Sequence, residues 1–217
     1  MSSQVTCPIT EPLYPLLSCV RLRIGLDGAG ITTLAAGAGC TLNCRWCINK
    51  KLLKEAVPRF VTAQELYTIL KIDDLYFQAT GGGVTFGGGE PMLHAEFIHR
   101  FKNEIPSAWK LNIETSLAIS AEKLSIVLDD VDLFIVDCKD MNIEIYQRYT
   151  GGNGKLMKDN LLLLYEKAGP EKVLVRVPLI PGYNTEDDRG KSIESLKRIG
   201  FTRFDMFNYV IKDQEES

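Results

Sequence analysis

Short apolar runs alternate with helical patterns along most of the chain. Strand-like runs at residues 31–36, within the glycine-rich stretch 81–89, and at 111–114, 133–137, 173–178 and 204–209 make six, five of them separated from the next by helix. The helical patterns begin at the capping box Thr62-Ala-Gln-Glu65 and continue at 92–101, 121–128, 143–149, 156–167 and 187–199. Strands alternating with helices predict a parallel sheet with right-handed crossovers. Residue types suited to ligands recur at the carboxyl ends of these strands: the loop after residue 36, Glu90, Glu114, Asp137, Lys139 and Arg176. The expected fold is therefore α/β, an incomplete (β/α)6 barrel of the TIM type with parallel strands and its active site at the carboxyl ends. A barrel short of eight strands is splayed and opens at the side, which suits a large substrate. A doubly wound open sheet is the alternative that pattern alone leaves standing. Residues 1–217 are expected to form a single domain. In it, 1–30 is an irregular lead-in with Pro8, Pro12 and Pro15, a short edge strand at 20–24 and a turn at 27–30.

A formal charge of −3 over 217 residues leaves no basic footprint, so nucleic acid is not an expected partner. No membrane span is expected either, because the apolar stretch 13–20 is broken by Pro15 and Ser18 and no other run is long enough. Six cysteines, clustered unevenly and without a secretion signal, point to reduced thiols and a cytoplasmic location.

Half of those cysteines lie in Cys40-Thr-Leu-Asn-Cys44-Arg-Trp-Cys47. Three thiols so close together cannot make a disulfide framework, because one is always left over and neighbouring Cβ atoms rarely reach bridge geometry. They call for a soft metal centre, either an iron–sulfur cluster or a zinc site that borrows a distant ligand. The stretch Gly81-Gly-Gly-Val-Thr-Phe-Gly-Gly-Gly-Glu90-Pro91 implies close approach by a ligand. It lacks the Gly-Lys-Ser/Thr ending of a phosphate loop and the spacing of a dinucleotide fingerprint. Cys7, Cys19 and Cys138 are scattered and read as structural, Cys138 as a mid-strand filler. His94 and His99 are off a common helical face and read as surface residues, and Met141, Tyr146 and Tyr149 as helix packing.

Together these stretches resemble the radical S-adenosylmethionine (SAM) superfamily, and within it the activating enzymes of glycyl radical enzymes. The resemblance rests on residues 27–31, the Cys40 to Asn49 run, the Gly81 to Leu93 stretch, Glu114-Thr115, Val136-Asp-Cys-Lys139 and residues 176–182, in the family's order. It implies a [4Fe-4S] cluster on Cys40, Cys44 and Cys47, with one iron left open for SAM, reductive cleavage of SAM to a 5'-deoxyadenosyl radical, and hydrogen abstraction. It also implies that Gly88, Gly89 and Glu90 contact the methionyl amino group, that Trp46 lies by the adenine, and that Lys139 and Arg176 belong to the SAM site. Asp137, Glu114 and Thr115 fall where some activating enzymes bind a monovalent cation. The implied partners are a glycyl radical enzyme, as protein substrate, and a flavodoxin- or ferredoxin-like reductant. A small-molecule or peptide substrate is the second reading. The chain departs from the family pattern at Ala29 and Thr32, in a loop that helps engage the glycyl-loop peptide, where proline and arginine are usual. Glu114 replaces an aspartate, and Val210 stands where a histidine often follows the tyrosine.

Overall fold

The computed structural model describes residues 11–210; Cys7 and Pro8 lie outside them. One sheet of eight strands runs through the chain in the order β3-β1-β2-β4-β5-β6-β7-β8. The strands are β1 (Tyr14–Ile24), β2 (Ile31–Gly37), β3 (Arg59–Val61), β4 (Gly83–Gly88), β5 (Lys110–Thr115), β6 (Leu133–Asp137), β7 (Val173–Leu179) and β8 (Phe204–Asn208). From β2 through β8 every pairing is parallel, while β1 joins β2 and β3 antiparallel. The six parallel strands are the six expected from sequence, and β8 does not pair with β3, so the sheet is an unclosed barrel wall.

Among the described residues, eight α-helices accompany the strands: α1 (Lys50–Glu55), α2 (Ala63–Leu70), α3 (Asp74–Thr80), α4 (Ala95–Lys102), α5 (Ala121–Val127), α6 (Ile143–Thr150), α7 (Gly154–Ala168) and α8 (Glu186–Ile199). The expected capping box is present on α2, where the Thr62 hydroxyl accepts from Glu65 N and the Glu65 carboxylate accepts from Thr62 N. Alternation along the strands divides the sheet into two faces. Val84, Phe86, Leu111, Ile113, Phe134, Val136, Val173, Val175 and Val177 are buried in the apolar core. The opposite, concave face carries Thr32, Thr85, Asn112, Glu114, Asp137 and Arg176, placed side by side by the parallel register. A polar concave face needs partners, and the loop at residues 25–30 provides some of them. Asp27, fully buried, accepts from Thr32 Oγ1 at 2.6 Å and Arg23 Nε at 2.6 Å, while its carbonyl accepts from Thr85 Oγ1 at 2.7 Å and Asn112 Nδ2 at 3.3 Å.

The lead-in is more regular than expected. In place of an irregular segment with a short edge strand at 20–24, β1 runs for 11 residues and is paired on both sides. Its period is broken by register shifts between Leu16 and Ser18 and between Val20 and Arg23, the second containing Leu22 at φ 56°. Bulges of this kind scramble the alternation by which a strand is read from sequence. Its arginines are not a solvent stripe: Arg21 pairs with Asp73, which is buried and also accepts from Thr33 Oγ1.

The first glycine cluster is explained by packing and not by a ligand. Gly82 and Gly83 lie so close to neighbouring backbone that a Cβ would fall 1.8 Å from Ile31 O and 2.0 Å from Lys110 O. Cys138 lies one residue beyond β6, not within the strand, and is fully buried. His99 is exposed and 2.7 Å from Asp130, whereas His94 is half-buried, edge-on to Tyr14 with ring centroids 5.5 Å apart. Burial holds the His94 imidazole below its ordinary range.

Candidate active site

The cysteine loop leaves the carboxyl end of β2 and is fastened on two sides. On one side, Gly89 N and Glu90 N donate to Gly37 O at 3.0 Å and Gly39 O at 2.8 Å, and Asn49 Nδ2 donates to Gly88 O at 2.7 Å. The approach is so close that a Cβ on Gly89 would lie 1.9 Å from Gly39 O. On the other side, Asn43 N and Arg45 N donate to the carbonyls of Thr150 and Tyr149 at the end of α6, at 2.9 and 3.1 Å. The Cys40 thiol is exposed and those of Cys44 and Cys47 are partly covered. Burial pushes the Cys44 thiol up to about 12, with the Lys139 ammonium opposing the shift, and burial raises Cys40 too.

Glu90 follows the glycines and is 2% exposed. Its carboxylate accepts from Thr115 Oγ1 at 2.8 Å, Ser116 Oγ at 2.7 Å, Ser116 N at 2.9 Å and Met92 N at 3.4 Å. Burial raises its pKa, and these four donors hold it back. Ser116 was missed by sequence reasoning, since it belongs to no motif. The turn that carries it is anchored by buried Asn160 of α7, whose Nδ2 donates to Leu117 O at 2.9 Å and Ile119 O at 2.7 Å.

Lys139 is 7% exposed, which rules out a solvated strand end for this residue. Its ammonium lies 3.1 Å from Asp137 and donates to the Tyr209 hydroxyl at 3.1 Å. Burial by itself would lower its pKa, but Asp137, Tyr209 and Cys44 overcome that and hold it well above the usual lysine range. Arg176 donates to Glu114 at 2.7 Å and to Leu26 O at 2.5 Å, and lies 3.5 Å from Asp205.

The side chains expected around a cation thus face three different partners: Glu114 faces Arg176, Asp137 faces Lys139, and Thr115 donates to Glu90. Among the described residues no three His, Cys, Asp or Glu side chains gather tightly enough to hold a single metal ion. The residues do not fit a monovalent cation at Glu114. A cubane cluster makes a different demand, because each thiolate binds its own iron and the three sulfurs need not converge on one point. Three soft thiols on one braced loop, with the buried Trp46 Nε1 beside them lacking any partner, fit such a cluster and its ligand.

The family model for the radical SAM superfamily matches residues 35–202, from within β2 to just before β8. The chain belongs to the radical SAM superfamily. Among radical SAM relatives, the (2S)-3-sulfopropanediol dehydratase activating enzyme of Klebsiella oxytoca is 31% identical over 157 residues, 66% of this chain and 49% of that protein. The pyruvate formate-lyase 1-activating enzyme of Escherichia coli (strain K12) is 31% identical over 190 residues, 84% of this chain and 72% of that protein. The chain therefore spans about half the length of the Klebsiella relative. A likeness in fold reaches the crystal structure of Streptococcus suis SuiB bound to S-adenosylmethionine, with a TM-score of 0.63 at 14% identity over 81% of this chain and 39% of that one. Among the described residues no helix is long and apolar enough to cross a membrane.

Proposed function

We propose that this chain is a radical SAM activating enzyme that installs a glycyl radical on a partner enzyme. The observation that carries the reading is the braced loop of three thiols whose flank is formed by Gly88, Gly89 and the buried, hydrogen-bonded Glu90. When bound, a [4Fe-4S] cluster supplies the electron that cleaves SAM to the hydrogen-abstracting 5'-deoxyadenosyl radical. Cys40, Cys44 and Cys47 hold the cluster as thiolates. Gly88, Gly89 and Glu90 bind the methionyl amino group, for which a carboxylate kept in place by four donors is already oriented. Lys139 puts a buried positive charge beside Cys44, suited to an anionic cluster or to a carboxylate. Trp46 covers the adenine. Arg176 shapes the concave face through Glu114 and the carbonyl of Leu26, and in this reading a monovalent cation has no part. The activity belongs to the cytoplasm, with a flavodoxin- or ferredoxin-like reductant.

The unclosed wall between β8 and the β1–β3 end favours a protein loop as substrate, because a closed barrel would exclude one. A second reading, hydrogen abstraction from a small molecule or peptide side chain, is favoured by residues 25–30. There the Asp27 carboxylate accepts from Thr32 of β2 and from Arg23 of β1, so it is turned onto its own chain and away from a partner.

Anaerobic reconstitution with iron and sulfide, reduction and addition of SAM test the core reaction, read as 5'-deoxyadenosine and as a SAM-induced change in the cluster's paramagnetic resonance. An intact cluster that neither binds nor cleaves SAM would refute the enzyme reading. Nucleoside formation without any glycine-centred doublet on a candidate partner would favour the second reading.

A further inference from the structure

Among the described residues, three buried side-chain polar atoms lack a hydrogen-bond partner: Trp46 Nε1 and the hydroxyls of Tyr146 and Tyr149. All three stand at the cysteine loop. Trp46 is inside it, and Tyr149 accepts Arg45 N through its carbonyl. Tyr146 lies one helical turn earlier, under the place where the loop crosses α6. A Cβ added at Gly152 would fall 2.2 Å from the Leu42 side chain of the loop and 3.5 Å from the Tyr146 ring. Buried polar groups are ordinarily paired, and three exceptions at one place, an indole N–H and two hydroxyls, call for an acceptor that the polypeptide does not supply.

Tyr146 is the clearest of the three. It is fully buried, and the nearby Thr150 hydroxyl is already committed to the Tyr146 carbonyl at 2.7 Å. Burial pushes its phenol up and the nearby Thr150 hydroxyl pulls it only part of the way back, so the group stays a neutral donor at any working pH. Tyr149, by contrast, has Tyr209 beside it, with ring centroids 6.2 Å apart.

We propose that the Tyr146 hydroxyl donates a hydrogen bond to a sulfur of the cluster held by the loop and so raises its reduction potential. The inference rests on the cluster assigned above. Hydrogen bonds to cluster sulfurs stabilise the more negative, reduced state, and their removal lowers the potential. Phenylalanine keeps the ring and removes only the donor, which makes Tyr146→Phe the discriminating variant.

The experiment compares wild type and Tyr146→Phe after anaerobic reconstitution. It measures iron and sulfide content, then the potential by a redox titration followed by paramagnetic resonance, and the melting temperature with and without cluster. The expected result is equal loading and a potential lowered by about 59 mV, a tenfold loss in the one-electron reduction equilibrium. The cluster-free variant should melt no lower than wild type, because an unpaired hydroxyl has been removed, while the rise in melting temperature on loading shrinks. Equal potentials in two loaded proteins would overturn the proposal and leave the cluster reading intact. So would equal destabilisation with and without cluster, which is what simple packing of Tyr146 predicts. A wild type that takes up no iron and sulfide would overturn both.

Discussion

Ser116→Ala tests the arrangement around Glu90 without touching the cluster ligands. The substitution removes the 2.7 Å hydroxyl donor and leaves the other three, Ser116 N, Thr115 Oγ1 and Met92 N. A hydrogen bond to a buried charged group contributes about 1.5–3 kcal/mol, so its loss should raise the Glu90 pKa further. The sign of the pH dependence follows from the direction of the shift. Glu90 is already raised by burial, so the folded protein holds this proton more tightly than the unfolded chain does. The favourable contribution is full below the unfolded pKa and is lost as pH rises through the folded one. Near the unfolded value both proteins carry a protonated Glu90, and the variant lacks only a neutral hydrogen bond. At higher pH its ionised carboxylate lacks a donor, and the stability gap should widen by about 2 kcal/mol. Urea denaturation of the cluster-free proteins between about pH 5 and 8 measures the gap. In a Glu90→Gln background the same Ser116→Ala change should show no widening. A gap that is flat with pH in both backgrounds would refute the reasoning.

Two further outcomes follow from the same geometry. Alanine at Cys40, Cys44 or Cys47 should each abolish the iron–sulfur absorption of the reconstituted protein, while alanine at Cys19 or Cys138 should retain it; iron and sulfide analysis checks this. Arg176→Met, which strands a largely buried Glu114 carboxylate, should cost about 3 kcal/mol in denaturant, and adding Glu114→Leu should recover most of it; a double variant as unstable as the single would show that the pair does not act as a unit.

The parallel half of the sheet was legible because strands such as β5 and β6 read as short apolar runs between patterned helices. The antiparallel extension was not, since β1 carries bulges and β3 has only three residues. The cysteines and the Gly-Gly-Glu turn were legible as motifs because their chemistry is local in sequence. Ser116 and Asn160 were not. They act on Glu90 across 26 residues of chain and on the Leu117 turn across 43, and no pattern in a single sequence marks such a contact. The pairing of Glu114 with Arg176 was not legible for a related reason: only the structure places the two within reach of each other.

The two-sided fastening of the cysteine loop bears on how the protein acquires its metal. In small zinc domains the ligands are brought together by the ion itself, and chelation unfolds them. Here backbone bonds at Gly37, Gly39, Tyr149 and Thr150 also fix the loop's path, so a metal on the thiols would not be its only tether, and Cys40 is exposed. The loop should then keep these bonds when the metal is lost, and a cluster-free protein should stay folded and take up iron and sulfide again.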